Sequence, residues 1–210
     1  MFTIQPEGEP ELNTNSTDEL KKILRHIGTI ECITLNHGEW TIDSSYRMCF
    51  TNTNEIRTAL VGRVHMVGDM SSMFMGSNIE RLPLLIDTSN VTNMNGMFSN
   101  SEFNGDISGW NVSNVTCMSF TFDNSKFNGD ISQWNVSRVT NMSFTFYGSK
   151  FNGDISRWNV SNVTDMGGMF SHSQFNGNIS QWNVSRVTDM DGTFYSTQLK
   201  NLPEWYTSRL

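Results

Sequence analysis

A 24-residue period governs the second half of this chain. Phe103, Phe127, Phe151 and Phe175 recur at that interval, and so do Trp110, Trp134, Trp158 and Trp182. Met94, Met118, Met142, Met166 and Met190 keep the same step, as do Phe98, Phe122, Phe146, Phe170 and Phe194. A fixed period in this range marks a repeat architecture, in which each unit buries its apolar face only against its neighbours. The run FNGDISxWNVSxVTxMxxxFxxSx is nearly exact at 103–126, 127–150, 151–174 and 175–198. A diverged copy fills 79–102, with Ile79 for the Phe and Ile86 for the Trp. Val67, Met70 and Phe74 keep the second half of an earlier unit, and Tyr46 and Phe50 form a degenerate half-unit one period before that.

Within one unit, alternation puts Phe103, Gly105 and Ile107 on one face and Asn104, Asp106 and Ser108 on the other, the pattern of a short strand. Gly105 leaves room there for a neighbouring ring, Trp110 being the candidate. Val115, Met118 and Phe122 fall at i, i+3 and i+7, one face of a short α or 3-10 helix, with Ser113 or Thr116 at its N-cap. The predicted fold class is therefore a leucine-rich-repeat-like repeat solenoid. Each coil is expected to hold a short parallel strand and a short α or 3-10 helix, behind a small α+β N-terminal cap. The Trp, Met and Phe columns read as core rather than as a stacking platform for sugars or bases.

Four segments follow. Residues 1–15, polar and proline-bearing, read as a flexible leader. Residues 16–63 read as an N-terminal helix/hairpin cap with the degenerate half-repeat. In that cap, 16–28 is the predicted helix: Ser16 and Glu19 have capping-box spacing, Leu20, Ile23, Leu24 and Ile27 form one stripe, and Gly28 stops it. Residues 29–42 read as two strands joined by a turn at Asn36-His37-Gly38-Glu39. Residues 64–198 hold the repeats, about six coils, and 199–210 form a C-terminal cap through Leu199, Leu202, Trp205 and Tyr206.

Composition narrows the function classes. The net charge is −7 and only 17% of residues are charged, so no basic nucleic-acid footprint is present. Cys32, Cys49 and Cys117 are odd in number and form no CxxC pair, which argues against a disulfide framework or a Cys-rich zinc site. They read as buried or half-buried thiols. No run of apolar residues is long enough for a membrane span, and residues 1–20 lack the pattern of a Sec signal. His26, His37, His65 and His172 form no HxxxH or HExxH arrangement, FNGD is not a phosphate loop, and no GxSxG elbow occurs. No catalytic residue, cofactor or resident metal is expected.

The run FNGDISQWNVSRVTNMSFTFYGSK resembles the repeat of the BspA-like leucine-rich repeat family, bacterial surface proteins with tandem units of this kind. Phe127, Asn128, Asp130, Ile131, Ser132, Trp134, Val136, Ser137, Val139, Thr140, Met142 and Phe146 carry the likeness, which extends over roughly 64–198. It implies parallel strands on one side of the stack and surface, adhesive or host-interaction roles. The chain as written departs from the surface-anchored pattern, with no signal peptide, lipobox or wall anchor.

Two sets of outward residues are candidate partner-binding sites. The first holds Asn104, Asn128, Asn152 and Asn176 with Asp106, Asp130, Asp154 and Asn178. These columns read as a structural ladder, a partner-binding face, or oxygen ligands for Ca²⁺. The second is a corner strip of Arg138, Arg157 and Arg186. The expected function is a non-enzymatic protein–protein interaction module of bacterial type, acting as a secreted effector or host-interaction protein. The alternative is a surface adhesin for host protein or carbohydrate, its export signal lying outside this chain. A third reading places an enzyme site in the cap at His26, His37 and Glu39. The expected partner is a protein, not nucleic acid, and the chain is a monomer or an end-to-end dimer. Its expected location is outside the cell by a non-Sec route, or the cytoplasm, or the cell surface if a signal precedes it.

Overall fold

The computed structural model describes every residue except 27, 29, 37, 48, 51–52, 54–55, 59–61, 83–85 and 210, with the backbone alone at 56–58 and 62. Alternation in the first residues makes a strand: β1 (Phe2–Pro6) turns Phe2, Ile4 and Pro6 inward. β2 (Leu12–Thr14) pairs antiparallel with it, Phe2 opposite Thr14. Residues 1–15 are thus no flexible leader; Ile4 is fully buried.

Helix α1 (Thr17–His26) follows, with acids in its first turn, basic residues in its last, and Leu20 and Leu24 buried. Its capping box is relayed. The Glu19 N–H donates to Ser16 Oγ at 3.3 Å. The Ser16 N–H donates to Thr14 Oγ1, whose hydroxyl donates to the Glu19 carboxylate. Ile27, the end of the expected stripe, lies outside the described residues, as do Thr29 and His37.

The two strands expected to form a hairpin do not pair with each other. β3 (Ile30–Leu35) runs antiparallel to β1, and β5 (Ile56–Thr58) lies parallel to β3 on its other side, completing a four-stranded sheet in the order β2-β1-β3-β5. β4 (Gly38–Ile42) joins a three-stranded parallel sheet with β6 (Gly62–Asp69) and β7 (Ile86–Asn93). Gly38 sits opposite Gly62, Trp40 opposite Val64 and Ile42 opposite Met66. That register is one 24-residue period, so β4 follows the repeat rather than a local turn. Asn36 holds the crossing point: its N–H donates to the Met1 carbonyl and its side-chain amide to Thr3 Oγ1. A 3-10 turn (Ser44–Tyr46) follows β4.

The predicted fold class is overturned by what the repeats contain. The molecule is α+β, with its strands in these two sheets, and residues 94–203, all described, form neither helix nor named strand. The FNGDIS segments do not pair as β. The Asn128 N–H donates to the side-chain oxygen of Asn104, not to a backbone carbonyl, and Asp106 Oδ1 folds back onto the Ser108 N–H. Extended pairing survives only as single parallel bridges linking Asn93, Cys117, Asn141, Asp165 and Asp189 in succession.

The expected helix fails for a backbone reason. Gly96 and Asn100 have φ near +59° and +54°, and the same two positions are left-handed in every later unit. A left-handed residue at every fourth position breaks the i to i−4 ladder. The N–H groups instead alternate. Those of Met94, Gly96, Phe98 and Asn100 donate across to carbonyls of the next unit at 2.7–2.9 Å, while those of Met97, Ser99 and Ser101 close turns within their own.

The apolar columns stack inside this frame. Phe98, Phe122, Phe146, Phe170 and Phe194 lie 5.7–5.8 Å apart, nearly parallel, and interleave with the Phe103 column at about 4.3–4.5 Å. Phe50 packs on Phe74, and Phe74 on Phe98, which carries the column into the cap. Gly105 does make room for a ring, but the ring belongs to Phe103 and not to Trp110. A Cβ at Gly105, Gly129, Gly153 or Gly177 would meet the Phe two residues earlier at 2.7–2.8 Å. The four Trp side chains of the repeats are buried. Beyond them, α2 (Glu204–Thr207) lays Trp205 parallel to Trp182.

Candidate binding surface

Each sequence-predicted site residue is exposed, and each has a local task. Asn104 Oδ1 accepts from the Asn128 N–H, Asn128 from Asn152, Asn152 from Asn176, and Asn176 from Lys200, at 2.7–3.1 Å. Asp106, Asp130, Asp154 and Asn178 each accept the N–H two residues on, at 2.8–3.0 Å. Those backbone bonds and the neighbouring serine hydroxyls hold the Asp106, Asp130 and Asp154 carboxyls below the ordinary carboxylate range. Asp106 and Asp154 push Asp130 the other way, as like charges on neighbouring rungs must.

The arginines do not form one strip. Arg138 donates to Asn114 Oδ1 at 2.9 Å and Arg186 to Asn162 Oδ1 at 2.8 Å, and the two asparagines in turn hold the Ser89 and Ser137 carbonyls. The pairs alternate Asn–Arg–Asn–Arg down one column. Arg157 stands in another, close enough to Asp154 to help hold its carboxyl down.

In the cap, His65 Nδ1 lies 3.2 Å from Asp87 Oδ2, while Glu39 stands 3.9 Å from Nε2, a buried atom with no hydrogen-bond partner among the described residues. His26 contacts the Lys22 carbonyl of its own helix. Among the described residues no three His, Cys, Asp or Glu side chains are grouped to hold a metal ion. Cys49 is buried, and Cys32 and Cys117 are half-buried. No helix among the described residues is long and apolar enough to cross a membrane.

A surface not expected from the sequence lies along the turn runs. Phe120 and Phe144 occupy the left-handed position, at φ of +55° and +54°, where the other units carry Ser72, Gly96, Gly168 and Gly192. The two rings stack at 4.9 Å and 7°. The row continues diagonally: Phe144 to Tyr147 at 5.7 Å, Tyr147 to His172 at 5.5 Å, His172 to Tyr195 at 5.2 Å. Phe120 is 38% exposed and Tyr195 66%. The Phe144 ring rests on Gly168, where a Cβ would meet it at 2.5 Å. The signal was present all the same: the column 96, 120, 144, 168, 192 reads Gly, Phe, Phe, Gly, Gly.

The repeat sequence that builds these turns matches a family model. Residues 44–150 and 123–210 match the family described as "Mycoplasma protein of unknown function, DUF285", so the matches span most of the chain. The chain belongs to the DUF285 family. The match is to DUF285 and not specifically to BspA-like leucine-rich repeats, and the DUF285 description assigns no function. Comparisons with curated proteins and with solved structures give no match. The DUF285 matches begin at residue 44, so β1 to β4 and α1 lie outside them.

Proposed function

We propose that this chain is a non-enzymatic protein-interaction module whose contact surface is the aromatic stripe on the turn face. The observation that carries this reading is Phe120 and Phe144 at left-handed positions. An L-residue there costs roughly 1–2 kcal/mol, and for a bulky side chain it is an outlier. Phe120 is 38% exposed and Phe144 half-buried, outside the core columns, so their burial offsets only part of that cost. Strain kept at an exposed aromatic row is a reason to look for a ligand. The asparagine, aspartate and arginine columns support partner binding less, because the asparagines, Arg138 and Arg186 already tie neighbouring units together and the aspartates already cap turns within their own.

DUF285 membership and the FNGDISQWNVSRVTNM likeness support a finer reading: a BspA-like host-interaction protein of bacterial type, acting as a secreted effector. The alternative remains a surface adhesin.

Proximity labelling with the tagged chain in bacterial and host cytosol tests this reading. The comparison uses Phe144→Gly/Tyr195→Ser and Arg138→Glu/Arg157→Glu/Arg186→Glu variants. The expected result is a protein recovered by the wild type and the arginine variant and lost with the stripe variant. Loss with the arginine variant alone would move the contact to the corner. No protein in either compartment, with stripe-dependent retention on oligosaccharide, would favour the adhesin.

A further inference from the structure

The turn runs that carry the stripe contain charged side chains of one sign. The six turn runs, at 69–76, 93–100, 117–124, 141–148, 165–172 and 189–196, contain Asp69, Asp123, Asp165, Asp189 and Asp191 and no lysine, arginine or glutamate. Asp69 is taken by Arg47 at 3.1 Å. No ion pair to Asp123, Asp165, Asp189 or Asp191 is found among the described residues; Asp123 is held by Ser99 Oγ and the Asn124 side-chain amide, Asp165 accepts from the Gly167 N–H and the Asn141 amide, and Asp189 accepts from the Asp191 N–H, each keeping its negative charge. Two lysines lie just past the runs: Lys126 is paired with Glu102, and Lys150 is exposed with no ion pair among the described residues. Arg209, at the C-terminal end, donates to the Val184 and Val187 carbonyls. The aromatic row is therefore carried by turn runs that contain aspartates and no lysine or arginine, on a chain whose net charge is −7.

We infer that the stripe recognises arginine side chains of an extended partner segment; this rests on the stripe being the docking surface. Arginine suits both halves of the surface. Its planar guanidinium stacks on aromatic rings and pairs with carboxylates, and it is more weakly hydrated than an ammonium, so it costs less to bring against a ring. Lysine would gain the carboxylates with a weaker ring contact. An acidic peptide or a nucleic-acid backbone would be repelled by the aspartates. A neutral oligosaccharide would leave their charge without a counterpart. The same negative field would speed encounter with a basic segment and make binding weaken with salt.

The test uses a fluorescein-labelled Gly/Ser peptide with arginine at alternate positions, followed by anisotropy against the full chain. Versions with lysine, glutamine or glutamate at those positions are the comparisons. The arginine peptide is expected to bind most tightly and to weaken as salt rises. Phe144→Gly and Tyr195→Ser, which leave net charge unchanged, should each weaken it about tenfold. Asp106→Asn/Asp130→Asn, in the FNGDIS segments outside the turn runs, should not. Equal binding by the stripe variants would overturn the inference, since the peptide would then be following bulk charge. Preference for the glutamate or glutamine peptide would overturn it too. If the arginine peptide fails while proximity labelling still depends on the stripe, the docking surface stands and the arginine assignment falls. If both fail, both fall.

Discussion

Trp205 Nε1 donates to the Ile179 carbonyl at 2.9 Å, the bond that Trp182 makes with the Ile155 carbonyl at 3.2 Å. Trp134 and Trp158 make it in the units before. The tail therefore closes this side of the last unit by imitating the next one. Lys200 does the same for the asparagine ladder, its N–H donating to Asn176 Oδ1. Repeat units cannot bury their ends alone, and a terminal cap supplies the missing neighbour.

Trp205→Phe keeps the ring against Trp182 and deletes the N–H donor. It should cost about 1 kcal/mol, the ordinary worth of one such bond. Trp205→Ala also uncovers Trp182 and Phe194 and should cost clearly more, roughly 3 kcal/mol. Equilibrium urea unfolding reads both. Equal effects from the two substitutions would mean that the bond, not the ring, closes the end.

Gly153→Ala places a Cβ 2.8 Å from the Phe151 ring, which is held between Phe127 and Phe175 and has little room to move. Overpacking of this kind costs about 1–3 kcal/mol. Gly109→Ala is the control: nothing lies within 4 Å of its Cβ position. It should leave the unfolding midpoint unchanged or raise it slightly, since alanine restricts the unfolded chain. Matching losses at both positions would show that the ring is not what the glycine serves.

The stack of Asp106, Asp130 and Asp154 sets an acid limb. Each carboxyl is held down first by the N–H of the serine two residues on. A folded pKa below the unfolded one means that the charged form adds stability. That share is fully present above the unfolded value of about 3.9 and is lost as pH falls through the folded values. Asn178 makes the same turn without a charge. Asp106→Asn/Asp130→Asn/Asp154→Asn should therefore be somewhat less stable than the wild type at neutral pH, where the charged share is present, and lose less stability between about pH 4 and 2, so that the two converge in acid. An unchanged acid limb would place that dependence in other groups.

The periodic core was legible because large aromatic side chains that return at one phase in a polar background must be buried together. The path of the backbone was harder. Val115, Met118 and Phe122 have helical spacing, but a run of turns with a left-handed residue every fourth position brings the same side chains inward. Gly96, Asn100, Gly148 and Gly168 mark those positions, two in each unit. The hairpin failed because Gly38 and Trp40 answer to Gly62 and Val64, a pairing one period away that local turn chemistry does not reveal. In the leader, the inward alternation of Phe2 and Ile4 outweighed the polar composition around it. Phe120 and Phe144 could have been found by asking which copies place a large residue where the others place glycine.

The stripe is assigned to a partner and not to the fold, and urea unfolding of Phe120→Gly/Phe144→Gly tests that claim most directly. Relief of the left-handed strain, roughly 1–2 kcal/mol per residue, opposes the loss of two ring pairs, Phe120–Phe144 and Phe144–Tyr147, about 0.5–1.5 kcal/mol each, and the added freedom of the unfolded chain, about 0.5–1 kcal/mol per glycine. The expected result is a stability within about 1 kcal/mol of the wild type, in a chain that no longer captures its partner. A loss of more than about 3 kcal/mol, the scale of a truncated core aromatic, would make the stripe part of the structure and contradict the assignment.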